Sequence, residues 1–500
     1  MRRQCDNQTG DTESPAAPTA AADVKGKEGI LCECERIAVR APGRGEPRRP
    51  VANSLAVMTD PVDDLLPPGR LLVLAIQHVL TMYAGAVTVP LVIGSALHLG
   101  AAQTAYLVSS DLIACGLVTL VQCLGVGPIG VRLPVMMGVT FVSVGPAIAI
   151  ASNPALGLPG VFGATIVSGL LGLVIAPVFS RLRSLFAPVV TGTAMVLIGV
   201  SLLGAAAGWI AGGGAAQASD PVGVLLAMFV IAVILAINRF ARGFLANTAV
   251  LLGIVAGFAA AFAAGRIDLT AVASAGWFSL VSPLHFGPPR FDLVSAASMT
   301  VVMLITMVES SGMLLALSRI TERPLSAADL ARGLRADAAG AFIGGLFNSL
   351  PYTSYSQNVA IVAMTGVRSR FVVAAAGGLL ILLGTLPKLS FLVTAIPPPV
   401  IGGAALVMFG MVAANGIQTL GRIDFTAERG SAYVIALALG VGLLPAANSK
   451  FFDRFPPAAA NFLHNGVMLG IVTALLLNVL LNGAPKSAPV ADQPQPSPVE

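Results

Sequence analysis

Charge is what this sequence has least of. Asp, Glu, Lys and Arg make up 11% of its 500 residues, where a water-facing surface takes about 25%. A chain of soluble domains is therefore excluded. Cysteines number five, too scattered for a disulfide framework. Cys5, Cys32 and Cys34 lie in a polar tail, where a C-x-C without a second ligand pair is no zinc site. Cys115 and Cys123 lie in apolar segments, as small buried hydrophobes do. The four histidines, His78, His98, His285 and His464, give no haem or metal pairing across helices, which excludes a membrane redox enzyme. No basic stripe with interleaved aromatics points to nucleic acid. What is abundant is apolar: hydrophobic residues reach 56%, and 54 glycines suit close-packed helices. The sequence is that of an integral membrane protein.

Residues 1–57 are rich in Arg, Pro, Ala, Gly and Thr, lack apolar periodicity and read as a disordered extension. They contain no ordered secretory signal. Met58, opening MTDPVDDLLPPGR, reads as the natural start. Residues 485–500 are a Pro/Ser-rich tail, also read as disordered. Between them a span needs about 20 residues, and fourteen apolar segments follow: 71–94, 104–124, 134–151, 159–179, 186–206, 221–238, 246–264, 292–317, 336–350, 352–366, 371–387, 391–415, 431–446 and 462–482. The third, ninth and tenth are short or interrupted. With the N-terminus inside, inner loops hold thirteen arginines against five basic residues outside, obeying the positive-inside rule. Both termini are then cytoplasmic.

Leu133-Pro134-Val-Met-Met-Gly-Val-Thr140-Phe141 and Leu350-Pro351-Tyr-Thr-Ser-Tyr-Ser-Gln357-Asn358 share L-P-x5 followed by a polar residue. Each stands at the third segment of a seven-segment half, 58–270 and 271–484. Seven is odd, so the halves enter the membrane from opposite sides. Interrupted segments at matching places of such inverted repeats point to a transporter's binding site.

Few ionisable groups lie deep in apolar sequence. Glu309, in TVVMLITMVESSGMLLAL, costs about 2.5–3.5 kcal/mol at the bilayer centre if charged. It must face a polar cavity or a partner, which makes it a substrate or proton site unless structural hydrogen bonds hold it. Asp337 opens the ninth segment, where an acid caps free N–H groups; Asp111, after Ser109-Ser110, has the same look. His78 in AIQHVLTMYAG reads as a hydrogen-bonded helix residue, with Gln77 about 100° away. Of residues 348–358 only Leu350 is plainly apolar, and such a segment survives at membrane depth only against protein or water. Its β-leaning start predicts a short extended piece feeding a half-helix, whose free N–H groups and Gln357 amide suit the edge of a heterocyclic base.

These residues carry a resemblance covering about 65–483. QHVLTMYAGAVTVP (77–90), LPVMMGVTF (133–141), MVESSG (307–312) and SQNVAIVAMTG (356–366) resemble the signature elements of the nucleobase–ascorbate transporters, the nucleobase:cation symporter-2 family. The resemblance implies an all-α polytopic fold of fourteen segments in two inverted repeats, with core and gate domains and dimerisation through the gate. It implies proton-coupled uptake of a purine base at an inner or plasma membrane, with H+ as coupling ion and no other cofactor. Substrate would sit between Glu309 and Gln357, with Phe141 and Thr140 from segment 3. Asp337 and His78 fall where the family keeps polar residues for support or coupling, and Asn358 and Thr365 fall on the signature. Two departures matter. Ala360 replaces the signature glycine, a methyl that would crowd the half-helix. Met313 stands where xanthine carriers have an acid, and uracil carriers have Glu at Gln357. Together with Thr140 this favours uric acid, with xanthine second. The alternatives are a sulfate-permease-type anion transporter of the same fold, which would want a cationic site and a C-terminal domain, and a passive purine channel.

Overall fold

The computed structural model describes residues 60–179, 187–212, 220–426, 428–448, 450–455, 463 and 465–483. The extension 1–57 with Cys5, Cys32 and Cys34, the start at Met58, His464 and the tail 485–500 lie outside the described residues.

Helices dominate. Apart from the short helices Phe244–Asn247, Thr270–Ser274 and Pro387–Thr394, they are in chain order α1 Pro68–Ala96, α2 Ala101–Leu124, α3 Val144–Ala151, α4 Gly157–Ile175, α5 Pro188–Ile210, α6 Pro221–Phe240 and α7 Ala249–Ala263. There follow α8 Leu293–Thr321, α9 Ala327–Leu346, α10 Ser356–Thr365, α11 Arg370–Gly384, α12 Pro398–Leu420, α13 Ser431–Ala447 and α14 Gly466–Asn482. Among the described residues seven helices are long and apolar enough to cross a membrane, eight if α11 and the short helix Pro387–Thr394, bent by 79°, form one span. The single segment expected over 391–415 is itself interrupted at residues 395–397, between that short helix and α12. Pro387 and Pro398 each start a new helix, because proline fits a first turn and not an interior.

The expected start of the ninth segment at 336 is wrong. Ser326 and Asp329 form a capping box that opens α9 nine residues earlier, a pattern visible in the sequence. Asp337 therefore lies half way along α9 and caps nothing. Asp111 likewise lies in the middle of α2. α8 starts at Asp292, whose carboxylate accepts from the Ser295 N–H at 2.8 Å and hydroxyl at 2.7 Å. Those two donors hold its carboxyl below the usual carboxylate range.

Small residues set the packing, as expected where apolar lipid gives helices little hydrophobic reason to associate. A Cβ on Gly416 of α12 would stand 2.7 Å from the Gly192 carbonyl of α5, and one on Gly116 of α2 would stand 2.4 Å from that of Gly377 on α11. One large apolar cluster runs through α1, α2, α8, α9 and α12. A smaller one joins Val230 and Ile234 of α6, Ile254 of α7 and Val400 of α12.

Candidate functional site

Neither L-P stretch is helical where helices surround it. Met137–Val139 (β1) and Tyr352–Ser354 (β2) form a two-stranded antiparallel ladder with Gly138 opposite Thr353. The two similar motifs, more than 200 residues apart in sequence, thus pair with each other. Backbone bonds from Thr140 to Pro351 (3.0 Å) and from Tyr355 to Met136 (2.9 Å) close its ends. A two-stranded sheet leaves both outer edges unpaired, which apolar surroundings do not tolerate. Side chains complete them. Met137 N donates to the Thr119 hydroxyl of α2 at 3.1 Å, and Ser354 N donates to the Ser310 hydroxyl of α8 at 3.1 Å.

Beyond each strand the chain winds up. After β1, Thr140 caps a short turn, Phe141–Ser143, that leads into α3, its hydroxyl oxygen accepting from Val142 N at 3.3 Å. After β2, α10 begins with Ser356 and Gln357. Antiparallel strands send these half-helices in opposite directions, each with a first turn of free N–H donors beside the ladder.

Tyr355 locks the crossing. It is buried, and its hydroxyl donates to the Val139 carbonyl at 3.3 Å. A Cβ on Gly138 would lie 1.5 Å from its ring, and one on Gly85 of α1 would lie 3.0 Å from its hydroxyl. Gly138 is thus glycine because a ring lies where a side chain would be.

Glu309 of α8 stands beside β2, half-buried. Thr353, opposite Gly138, offers its hydroxyl to Glu309 Oε2 at 3.4 Å and lies 3.3 Å from the Ser310 hydroxyl. Asp337 of α9 is fully buried, with Ser310 and Glu309 of α8 as polar neighbours. Gln357 is exposed at the start of α10, its Oε1 3.4 Å from the Ser356 hydroxyl. Phe141 is half-buried and meets Phe409 of α12 edge to face at 5.8 Å. Met313, one turn beyond Glu309, is half-buried against the apolar core.

The fold does not bring together every expected residue. Asn358 turns away from Gln357 and is buried against α1, where Nδ2 donates to both the backbone carbonyl and Nδ1 of His78, each at 3.0 Å. The carbonyl can only accept, so the amide nitrogen must face His78, and Nδ1 must accept the second hydrogen. His78 is then neutral with its proton on Nε2; a proton on Nδ1 would set two donors against each other. Thr365 ends α10, its hydroxyl donating to the Ile361 carbonyl at 2.8 Å. Ala360 is exposed, so its methyl does not crowd the half-helix. Thr353, Ser310, Thr119 and Tyr355 were missed by sequence reasoning. Only the run of hydroxyl residues at 353–356 hinted at them.

The ladder gathers one carboxylate, one amide, two sets of helix N–H donors and an aromatic ring. Such a set can hold a flat, polar ring by its edges and one face.

A Permease family model (Xan_ur_permease) matches residues 69–451. The chain is 49% identical over 427 residues to the uric acid transporter UacT of Escherichia coli K12, covering 85% of this chain and 89% of that one. To the xanthine permease of Bacillus subtilis it is 39% identical over 415 residues, 83% of this chain and 94% of that one. Among solved structures, the transmembrane domain of a cyanobacterium bicarbonate transporter, BicA, matches with a TM-score of 0.53 at 15% identity, covering 84% of this chain and all of that one.

Proposed function

From the premise that this chain belongs to the permease family of nucleobase–ascorbate transporters, and is a multi-pass membrane transporter rather than an enzyme, we propose that it imports a purine base with protons by alternating access. Urate is the preferred substrate and xanthine the second. Fourteen segments form two inverted repeats divided into core and gate domains, dimeric through the gate, in a cell membrane with both termini cytoplasmic. Glu309 and Gln357 grip the base, with Thr140, Phe141 and Met313 around it. Glu309 and Asp337 serve the proton, and His78, fixed by Asn358, supports the site.

The observation that carries this reading is the half-buried Glu309 carboxylate at the strand crossing, bonded to Thr353 of the second L-P motif. A carboxylate there can accept from a purine N–H while the half-helix donors and Gln357 meet its carbonyl edge. Urate is mostly a monoanion at neutral pH. A second carboxylate at position 313 would repel it by about 4 kcal/mol at 4 Å and an effective dielectric of 20; Met313 removes that charge. The identity to a uric acid transporter points the same way.

The fold shared with a bicarbonate transporter keeps the anion-transporter alternative within reach, but at 15% identity it speaks for the fold alone. Uptake of labelled urate, xanthine, uracil and sulfate in cells lacking their own purine permeases decides. Urate uptake, competed by excess xanthine less strongly than by urate and not by uracil or sulfate, is expected. Xanthine uptake without urate competition would overturn the substrate, and sulfate uptake would overturn the class.

A further inference from the structure

One buried acid has no part in that reading. Asp111 sits in the middle of α2, fully buried, with no Lys or Arg side chain paired to it among the described residues. It is met instead by three donors: the Ser349 hydroxyl at 2.6 Å, the Tyr352 hydroxyl at 2.9 Å and the Cys115 thiol, one turn along α2, at 3.7 Å. Tyr352 and Ser349 also contact each other at 2.9 Å. These two residues bracket Leu350-Pro351. Pro351 lacks an N–H, so the turn into β2 cannot be tied down by its own backbone there. A carboxyl oxygen accepts from hydroxyls on both sides of that gap.

Tyr352 carries the consequence onward. It is the first residue of β2, pairs with Val139 across the ladder, and is fully buried against α9, where a Cβ on Gly344 would stand 2.8 Å from its ring. The next residue, Thr353, reaches Glu309, and five residues on stands Gln357. The depth at which Tyr352 is pinned therefore sets where both substrate-facing groups lie.

We propose that Asp111 is a positioning residue of the transport site: through Ser349 and Tyr352 it holds β2, and with it the Thr353–Glu309 contact and the Gln357 half-helix, in the register that meets the base. The role rests on the transport reading above, and its structural part does not depend on which purine is carried.

The test compares wild type with Asp111→Leu, Ser349→Ala, Tyr352→Phe and the double variant Asp111→Leu/Tyr352→Phe. Leucine is chosen because Ser349 and Tyr352 donate to the same carboxyl oxygen, which an asparagine would keep. Initial uptake rates of labelled urate give KM and Vmax, and membrane abundance is measured alongside. Leaving both hydroxyls without their acceptor predicts about a tenfold rise in KM for Asp111→Leu and a smaller rise for each donor variant, at near-normal abundance. The double variant is no worse than Asp111→Leu, because both act through one carboxyl. Unchanged KM, or penalties that multiply, overturns the proposal. Should Asp111→Leu fail to reach the membrane, Tyr352→Phe keeps the ring's packing and decides by the same KM criterion. Hydrogen–deuterium exchange on purified protein separates the two readings. Faster exchange confined to residues 349–358 in Asp111→Leu supports the anchor even if urate is not the substrate, and unaltered exchange there overturns it.

Discussion

At the scale of single residues, the site depends on what is missing from a position as much as on what is present. Gly138 adopts ordinary strand backbone, and its demand for hydrogen comes from Tyr355, whose ring occupies the place of a Cβ at 1.5 Å. The ring cannot retreat freely, since its other side lies against Gly85 and its hydroxyl is bonded to Val139. Gly138→Ala is expected to destabilise the protein by about 3 kcal/mol or more, the upper range for overpacking, and to abolish uptake. The melting midpoint of the solubilised variant checks this, and wild-type uptake would show that Tyr355 does not lie there. His78 makes the opposite case. A lone histidine in an apolar helix was legible as a hydrogen-bonded residue, but its partner, Asn358, lies 280 positions away.

At the scale of elements, the acidic run before α1 acts as a strap. Val62 is fully buried, and its carbonyl accepts from Arg370 N at 2.9 Å. Asp63 bonds the Arg370 guanidinium at 2.5 Å, and Asp60 and Asp63 each approach Arg323 at 3.6 Å. Arg370 also donates to the carbonyls of Cys123 and Leu124 at the end of α2. One short segment thus joins the ends of α2, α8 and α11. Deleting residues 2–57 leaves the strap whole, and uptake is expected close to wild type. Extending the deletion through Asp64 loses the Val62 burial, about 1.5–3 kcal/mol, plus ion pairs worth up to about 1 kcal/mol each. A melting midpoint unchanged by the longer deletion would refute the strap. The cap of α8 has its own pH signature. Because Asp292's folded carboxyl is depressed, its stabilisation is present above the ordinary Asp value of about 3.9 and is lost as pH falls below that. A pH dependence of transport nearer neutrality is therefore not due to this cap.

At the scale of the whole molecule, charged residues gather at helix ends. Arg323, Arg332, Arg335, Arg368 and Arg370 bond loop carbonyls and acids around Asp60–Asp63, Gly127–Pro128 and Glu322. Arg266 pairs with Asp220, and Arg290 bonds the Ala155 carbonyl. Accumulation against a gradient is a property of the whole cycle, and Glu309→Gln tests it. The amide keeps the shape and one acceptor but carries no exchangeable charge. Proton-driven accumulation is expected to fall to background while purine binding partly survives, and a protonophore should bring wild type to the same level. Accumulation by Glu309→Gln at wild-type level would make Glu309 a structural carboxylate. Uptake indifferent to the protonophore would favour a channel.

Composition settled the solvent, because 11% charged residues cannot solvate a chain of this length. Apolar run length and the matched L-P motifs located the helices and the interrupted segments, since both follow from local backbone chemistry. The isolated cost of an intramembrane acid singled out Glu309 in the same way. Tertiary structure alone decided which side chains finish the ladder's edges, that Asp111 anchors Tyr352, that Asp337 lies behind Ser310 rather than at a helix start, and that Asn358 serves His78. Sequence spacing records neighbours along one helix, whereas these pairings join elements separated by up to 280 residues. Close approach at Gly85 and Gly138 seats the Tyr355 ring among them, and close approach at Gly344 seats that of Tyr352.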